Sequence, residues 1–279
     1  MRENTAFIKP KELHLTEEQA KDAILVLQDG YKEQKLDDLL DNDDCFIPEN
    51  IIVLYLYYLE KTNYQAVVQN YMFQYIDNEA LVEPGVTIEE RLGIADIYNY
   101  ISNYDFNKMP NIFVEGLKMH SMLYSHCPYP EFGGKLRDQS VILNNVSHDV
   151  ISADEARAKF QSFVTKKYVI DEDNILSYID EVIKDTVDLI KYQPFMDGNK
   201  RTFRSLLNLM LGKIGIPPVY VDIEERGIYI DKLMAAIDNG DYVGITRFYY
   251  YKICDAIVNL DLIDRLKPSE KKGTFFVIK

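Results

Sequence analysis

The chain has 279 residues, of which 47% are hydrophobic, and a formal net charge of −14 at pH 7. This length and apolar content are sufficient for a packed core in one or two domains. The acidic balance argues against nucleic acid and anionic membrane surfaces as partners, because their phosphates would repel the chain.

The lack of a recognisable targeting signal and the spacing of the cysteines predict a cytoplasmic chain. The longest apolar-rich run, from Ile51 to Leu59, is far shorter than the ~20 residues that a spanning helix needs. No basic N-terminal stretch precedes an apolar run, so no signal peptide is expected. The three cysteines are widely separated and form no metal-ligand pattern, which favours a reducing compartment. The histidines do not pair at metal spacing either, and His120 is expected to pack or hydrogen-bond within a helix.

The predicted elements are almost all helical. Thr16 and Gln19 form a capping-box pattern that predicts a helix over 16–28. Long apolar and tyrosine-rich helical patterns cover 50–76, and Thr87 begins another helix after a break at Pro84. Further helices are predicted over 92–103, 110–124, 153–165, 173–191, 199–214, 225–238 and 241–260. Strand patterns are confined to about 136–143 and 275–278, so the predicted fold is all-α with a short β-hairpin.

Residues 193–204 read Gln-Pro-Phe-Met-Asp-Gly-Asn-Lys-Arg-Thr-Phe-Arg and lie between two of these helices. Pro194 and Gly198 interrupt the helical pattern, so a tight loop is expected before a new helix at about Asn199. The start of a helix presents unpaired backbone N–H groups and a partial positive charge.

Charged side chains surround this predicted helix start. Arg201 and Arg204 lie three residues apart in its first turns, and Asp197 comes just before it. Together these groups are typical of a phosphate site with a divalent cation on the carboxylate. A plain helix start with solvated arginines is the alternative, and the residue types alone leave both open.

The same run resembles the signature of the Fic (Fic/Doc) family, which has a histidine followed by Phe, Asp or Glu, Gly, Asn and two arginines. The positions in register are Pro194, Phe195, Asp197, Gly198, Asn199, Arg201 and Arg204. Two positions depart from the family pattern. Gln193 stands where the family has its catalytic histidine, and Lys200 stands where AMP-transferring members often have glycine.

The resemblance extends over about residues 90–255. Residues 132–143 resemble the flap of the family, 94–100 its first core helix, and 215–253 the region after the signature. It implies a Fic-type helical bundle with a β-hairpin flap. The corresponding domains are an N-terminal helical extension over 1–89, a Fic-like core over 90–260 and a tail over 261–279.

The resemblance implies a protein adenylyltransferase, which moves AMP from ATP to a Ser, Thr or Tyr hydroxyl. ATP and Mg2+ are the implied cofactors, with Asp197 as the metal ligand. The implied nucleotide-binding residues are Gly198, Asn199, Lys200, Arg201 and Arg204. The implied catalytic positions are Gln193, Asp197, Asn199 and Arg201. Because the amide of Gln193 is not basic near neutral pH, transfer is expected to be absent or strongly impaired.

Three other interpretations stay open. The alternatives are a nucleotide-binding pseudoenzyme, a scaffold whose flap pairs with a partner strand, and a Doc-like kinase in which Lys200 matches the kinase type.

The resemblance also implies a docking surface for a target protein. The flap residues expected to take part are Gly134, Lys135, Leu136, Arg137 and Val141, on an exposed hairpin edge. A homo-oligomer is a further option for partners.

Many members of the family carry an inhibitory helix with a Ser/Thr-x-x-x-Glu-Gly/Asn motif, whose glutamate pairs with the second signature arginine. Asp77, which precedes Asn78, is the preferred candidate here, and Glu49, which precedes Asn50, is the alternative. Both segments lack the Ser/Thr, and a solvated helix end is the simpler interpretation of each.

Overall fold

The structure is a computed structural model. It describes residues 72–141 and 150–258, the helix 48–58, two short strands at 266–268 and 276–278, and residues 10, 12, 15–16, 18–23 and 68. Within these ranges the chain is helical, as predicted, and none of the described helices has the length and apolarity to cross a bilayer.

The longer helices are α1 (Pro48–Tyr58), α2 (Met72–Leu81), α3 (Ile88–Ser102), α4 (Ile112–Leu123), α5 (Ala153–Gln161), α6 (Ile175–Tyr192), α7 (Asn199–Gly212), α8 (Arg226–Asn239) and α9 (Val243–Val258). Single 3-10 turns lie at Pro130–Phe132, Ser162–Val164 and Ile223–Glu225. The predicted helices from residue 87 onward are confirmed to within a few residues, except that the helix begun by Thr87 and the one predicted over 92–103 are a single helix, α3. The part of 50–76 between α1 and α2 lies mostly outside the described residues.

The helix start predicted at Thr87 and the capping box predicted at Thr16 and Gln19 are confirmed, and both are capping boxes. Thr87 caps α3 by accepting from the backbone N–H of Glu90, while the Glu90 carboxylate accepts from the N–H of Thr87. Thr16 and Gln19 exchange the same pair of bonds ahead of the helical residues 18–23. In both cases the side chains satisfy backbone donors that the first turn of a helix leaves unpaired.

Helix α7 forms the centre of the core and packs against α3, α4 and α6. Every residue of α7 is buried except Lys200, so this helix carries both the apolar core and the signature arginines. Helix α2 packs on α3, and α1 packs on α9 and α6. The boundaries proposed at residues 89 and 260 stay predictions.

Extended structure is scarce in the described residues. Phe276–Ile278 is a strand, as predicted, and pairs antiparallel with Leu266–Pro268, which was not predicted. The predicted hairpin over 136–143 is not seen in its described part, where Leu136 makes a single antiparallel bridge with Phe195. Residues 142–149, which include the second half of that prediction, lie outside the described residues.

Candidate functional site

A sharp loop between α6 and α7 carries residues 193–198. Gly198 caps α7 in the left-handed region, at φ +74°. A Cβ atom at this position would lie 2.9 Å from Leu123 Cδ2 and 3.0 Å from the Tyr124 hydroxyl. Glycine is therefore required here both by conformation and by space, because L side chains rarely adopt positive φ.

Phe195 anchors the loop in the core. Its ring stacks on the imidazole of His120 with centroids 3.8 Å apart, and it also contacts Phe160 and Phe203. The imidazole Nε2–H donates to the carbonyl of Asp197 at 3.0 Å, and Nδ1 accepts from the N–H of Gly134 at 2.8 Å. These two bonds fix the neutral tautomer. Burial lowers the pKa of His120 to about 4, against the opposing effect of Asp197.

The side chain of Asn199 holds the loop together. Its Oδ1 accepts from the N–H of Phe195, and its Nδ2 donates to the carbonyl of Phe195 and to Oε1 of Gln193. Both ends of the amide are thus engaged within the loop. If Asn199 contributes to an anion hole, as predicted, it does so through its backbone N–H at the start of α7 and not through its side chain.

Gln193 ends α6 in the left-handed region at φ +49°, the single non-glycine residue with positive φ in the described part of the chain. Its side chain is buried, and its Nε2 donates to the carbonyl of Ile190 at 2.6 Å while Oε1 accepts from Asn199 at 2.8 Å. The residue at the family's catalytic position therefore acts as a helix cap in this chain.

Arg201 is held between two carboxylates. It donates to Glu90 at 2.7 Å and to Oδ2 of Asp197 at 3.1 Å, and its side chain is 8% exposed. Although burial alone would lower the pKa of Arg201, Asp197, Tyr124 and Glu90 raise it above its ordinary value. Tyr124 also donates to Asp197 Oδ2, at 3.0 Å.

Arg204 is the most buried cation of the site, with its side chain 2% exposed. Glu79 of α2 accepts from Nε at 2.9 Å and forms an ion pair with Nη2 at 2.8 Å, and Glu83 accepts from Nη1 at 2.8 Å. The second oxygen of Glu83 lies 2.7 Å from the ammonium of Lys200. Glu83 therefore bridges two signature cations that are four residues apart on α7.

The carboxylates of this cluster differ in pKa. Burial raises the pKa of Glu79, which Arg204 only partly offsets. Burial acts in the same direction on Glu83, but Arg204 and Lys200 together outweigh it and lower the pKa of Glu83. Arg204 itself stays charged, because Glu79 and Glu83 raise its pKa against the effect of burial.

The prediction that Asp77 contacts the second signature arginine is wrong, and Glu79 makes that contact. Asp77 is half exposed and pairs with Arg91 on the surface. Two residues along a helix correspond to about 200°, so Asp77 and Glu79 of α2 point to opposite sides. The alternative, Glu49, lies in the first turn of α1 near Tyr250.

The flap residues do not form one exposed surface. Lys135 is exposed, and Gly134, Leu136 and Val141 are partly buried. Arg137 is 1% exposed and its guanidinium binds main-chain carbonyls, so the docking role predicted for this side chain is wrong. Its main-chain N–H also binds the carbonyl of Pro194, which ties the base of the flap to the site loop.

Sequence reasoning missed the carboxylates that hold the signature cations. Glu79 follows Tyr75 by four residues and precedes Ala80, so neither flanking position fits the inhibitory motif. A charge pattern does contain the signal, because Glu79 and Glu83 are four apart, as are Lys200 and Arg204. Glu83 lies two residues past the end of α2, close enough for both carboxylates to face the cations of α7.

Asp197 is the residue at this site best suited to a divalent cation. Its side chain is 67% exposed, and both contacts that the structure describes for its carboxylate use Oδ2. A solvent-facing carboxylate at a helix start suits a hard cation that keeps several waters and binds phosphate oxygens. The residues present therefore fit Mg2+.

A helical bundle with a glycine-capped helix start, an adjoining carboxylate and two signature arginines is the arrangement that the resemblance to the Fic family implies. Residues 115–211 match the family model of the Fic/DOC family. Over this segment, about a third of the chain, the resemblance to the Fic/DOC family that the sequence predicted is confirmed.

Named relatives share the sequence similarity, and a solved structure shares the fold. "Protein adenylyltransferase Fic" of Nematostella vectensis is 28% identical over 59% of this chain and 38% of its own length. The protein of the same name from Aedes aegypti is 27% identical over 59% of this chain and 33% of its own length. The chain thus spans about a third of the length of these relatives. A Fic-1 fragment from C. elegans shares the fold, with a TM-score of 0.56, 18% identity, and coverage of 87% of this chain and 71% of its own.

Proposed function

We propose that the start of α7 binds Mg-ATP and is built for the transfer of AMP to a protein hydroxyl, with the proton-transfer step impaired by Gln193. The observation that carries the proposal is the convergence of Lys200, Arg201 and Arg204 on one helix start beside Asp197. Relatives named protein adenylyltransferase over the same segment support the reaction class.

Each group of the site has a place in this reaction. The hydroxyl oxygen of the target attacks the α-phosphorus of ATP, the bond to the β-phosphate breaks, and pyrophosphate leaves. Arg201 and Arg204 bind the β- and γ-phosphates and neutralise the charge that develops on the leaving group. The backbone N–H groups of Gly198 and Asn199 bind phosphate oxygens at the helix start. The hydroxyl proton needs an acceptor at position 193.

Asp197 would hold the Mg2+. The ion, when bound, offsets phosphate charge and orients the triphosphate. Tyr124 and Arg201 keep the carboxylate of Asp197 in place through Oδ2.

Under this proposal, the contacts of the signature cations make the present conformation an inhibited one. Glu79, Glu83 and Glu90 form ion pairs with the cations that would bind phosphate. Glu79, which pairs with the second signature arginine, takes the place of the glutamate in the family's inhibitory helix. Nucleotide binding through Arg204 requires Glu79 to move. The acidic side chains thereby favour the nucleotide-free state.

A nucleotide-binding pseudoenzyme is the second candidate, and one observation favours it. The amide of Gln193 has both a donor and an acceptor bond inside the loop, so it does not face a substrate hydroxyl. His120 is hydrogen-bonded to the loop, but both of its ring nitrogens already form hydrogen bonds, and burial lowers its pKa to about 4. This imidazole is unsuited to replace the missing base.

The test compares the native chain with Gln193→His, each also carrying Glu79→Gly to release Arg204. Proteins are incubated with a cell lysate and with ATP labelled at either the α or the γ position. The histidine form should label target proteins at least ~100-fold faster, since imidazole accepts a proton near neutral pH.

The position of the label separates the candidates. Label from the α position means AMP transfer, and label from the γ position alone means phosphoryl transfer by a Doc-like kinase. Calorimetry with Mg-ATP that shows binding without transfer by either form supports the pseudoenzyme. Absence of binding at millimolar Mg-ATP in all forms would reject the nucleotide site altogether.

Docking of the target on the flap and self-association are also proposals. The exposed Lys135 and the partly buried Val141 remain as candidates for contact with an extended target segment. Crosslinking from a photoreactive residue at position 135 in the Gln193→His form would test target docking.

A further inference from the structure

Arg137 is a buried cation whose described guanidinium contacts are all with main-chain carbonyls. Nε donates to Gln193 at 2.6 Å, Nη1 to Gln139 at 2.9 Å, and Nη2 to Ile151 at 2.5 Å and more weakly to Ser152 at 3.4 Å. One side chain thus joins the base of the flap, the start of α5 and the site loop. Hydrogen bonds from a charged donor are stronger than neutral ones and suit a residue that fixes several segments.

The bond to residue 193 is the one with chemical consequences. Gln193 has φ +49°, a conformation that costs an L residue of this type roughly 1 kcal/mol or more. Its N–H is bound to the carbonyl of Leu189, and its carbonyl is bound by Arg137. Both backbone groups of residue 193 are therefore fixed.

The main chain of Arg137 reinforces this grip. Its N–H donates to the carbonyl of Pro194 at 2.9 Å, next to the antiparallel bridge between Leu136 and Phe195. Residues 193 and 194 are thus both bound by Arg137, one through the side chain and one through the backbone. A shift of the flap base would move the site loop with it.

We propose that Arg137 is a positioning residue, which holds residue 193 in the left-handed conformation and so sets the direction of its side chain. In the native chain this directs the Gln193 amide onto the end of α6. As far as catalysis is concerned, the inference rests on the proposed function, because position 193 is then where a base would act. Arg137 itself touches no reacting atom.

The first experiment needs no activity. In protein with 15N in the glutamine side chains, the Gln193 amide signal is identified by its loss in Gln193→His. Its Nε2 protons should exchange with solvent at least ~10-fold more slowly than those of the exposed Gln161, because they are bonded to Ile190. In Arg137→Lys, which keeps the charge but has a single nitrogen donor, that protection should fall at least ~10-fold.

The matched control is Arg157→Gln. Arg157 is partly exposed, donates to the carbonyl of Arg137 at 3.4 Å and pairs with Asp154, so it is a neighbouring arginine without a bond to residue 193. Protection of the Gln193 amide should stay within about twofold of native in this variant. Unchanged protection in a folded Arg137→Lys would overturn the proposal, as would an equal loss in both variants.

The second experiment uses the Gln193→His background. Adding Arg137→Lys should lower kcat for AMP transfer at least ~10-fold while KM for ATP changes less than about threefold, and should shift the imidazole titration seen by NMR. A loss confined to thermal stability, with kcat and the titration unchanged, would show Arg137 to be a purely structural clip. If no variant transfers AMP, the proposed function fails, and the exchange experiment still decides the role of Arg137.

Discussion

Removing the charge of Glu79 should strengthen the binding of Mg-ATP, because Arg204 then loses its closest carboxylate partner. In Glu79→Gln the shape is kept and one negative charge is removed from the buried pair with Arg204, in which both side chains are at most 2% exposed. Two unit charges about 4 Å apart interact by about 4 kcal/mol at an effective dielectric of ~20. If relaxation and the remaining Glu83 absorb half of this, Mg-ATP should bind tighter by about 2 kcal/mol, or about 30-fold in Kd.

Isothermal titration with Mg-ATP measures this change, and thermal unfolding shows that the variant is folded. The free energy of unfolding of Glu79→Gln is expected to be about 1–3 kcal/mol lower than that of the native chain, since Arg204 keeps only Glu83 as a charged partner. Asp77→Asn is the matched control, because Asp77 lies on the same helix and pairs with the exposed Arg91. Its Kd should stay within about twofold of native. An affinity gain in Asp77→Asn and none in Glu79→Gln would refute the reasoning.

Two further predictions concern stability. His120 is neutral when folded, with a pKa lowered from 6.5 to about 4 by burial, so the stability it confers is present above pH 6.5 and is lost as the pH falls towards 4. Urea unfolding should show that the native chain loses on the order of 3 kcal/mol more than His120→Gln across this window; parallel pH curves for the two proteins would contradict this. Gly198→Ala should cost roughly 1–3 kcal/mol, because it places a Cβ 2.9 Å from Leu123 at positive φ. Gly227→Ala, in open space on α8, should be neutral or slightly stabilising, and an equal loss in both would argue against the steric account.

The fold and the location of the site could be predicted because both depend on local sequence patterns. Helical periodicity gives α6 and α7, and Pro194 with Gly198 marks the loop between them. Thr87 and Glu90 show the same locality, since a capping box is written within four residues. Each of these features is determined by neighbours along the chain.

The partners of the site depend on contacts that are distant in sequence. Glu79 and Arg204 are 125 residues apart, and besides its helical face only the four-residue spacing to Glu83 distinguishes Glu79 from Asp77. The buried position of Arg137 was missed for the same reason, since a charged residue in a glycine-rich segment is usually solvated. Its burial depends on carbonyls from the site loop and from Ile151.

The burial of Arg204 under α2 has a consequence for rates. An anion cannot reach a guanidinium that is 2% exposed until Glu79 and its helix have moved, so opening precedes contact. Association through Arg204 would then follow a gated scheme, in which the observed rate rises with ligand concentration only until it equals the rate of opening. Any interaction that changes the opening rate of α2 would therefore change the association rate of the nucleotide, even at a distance from the phosphates.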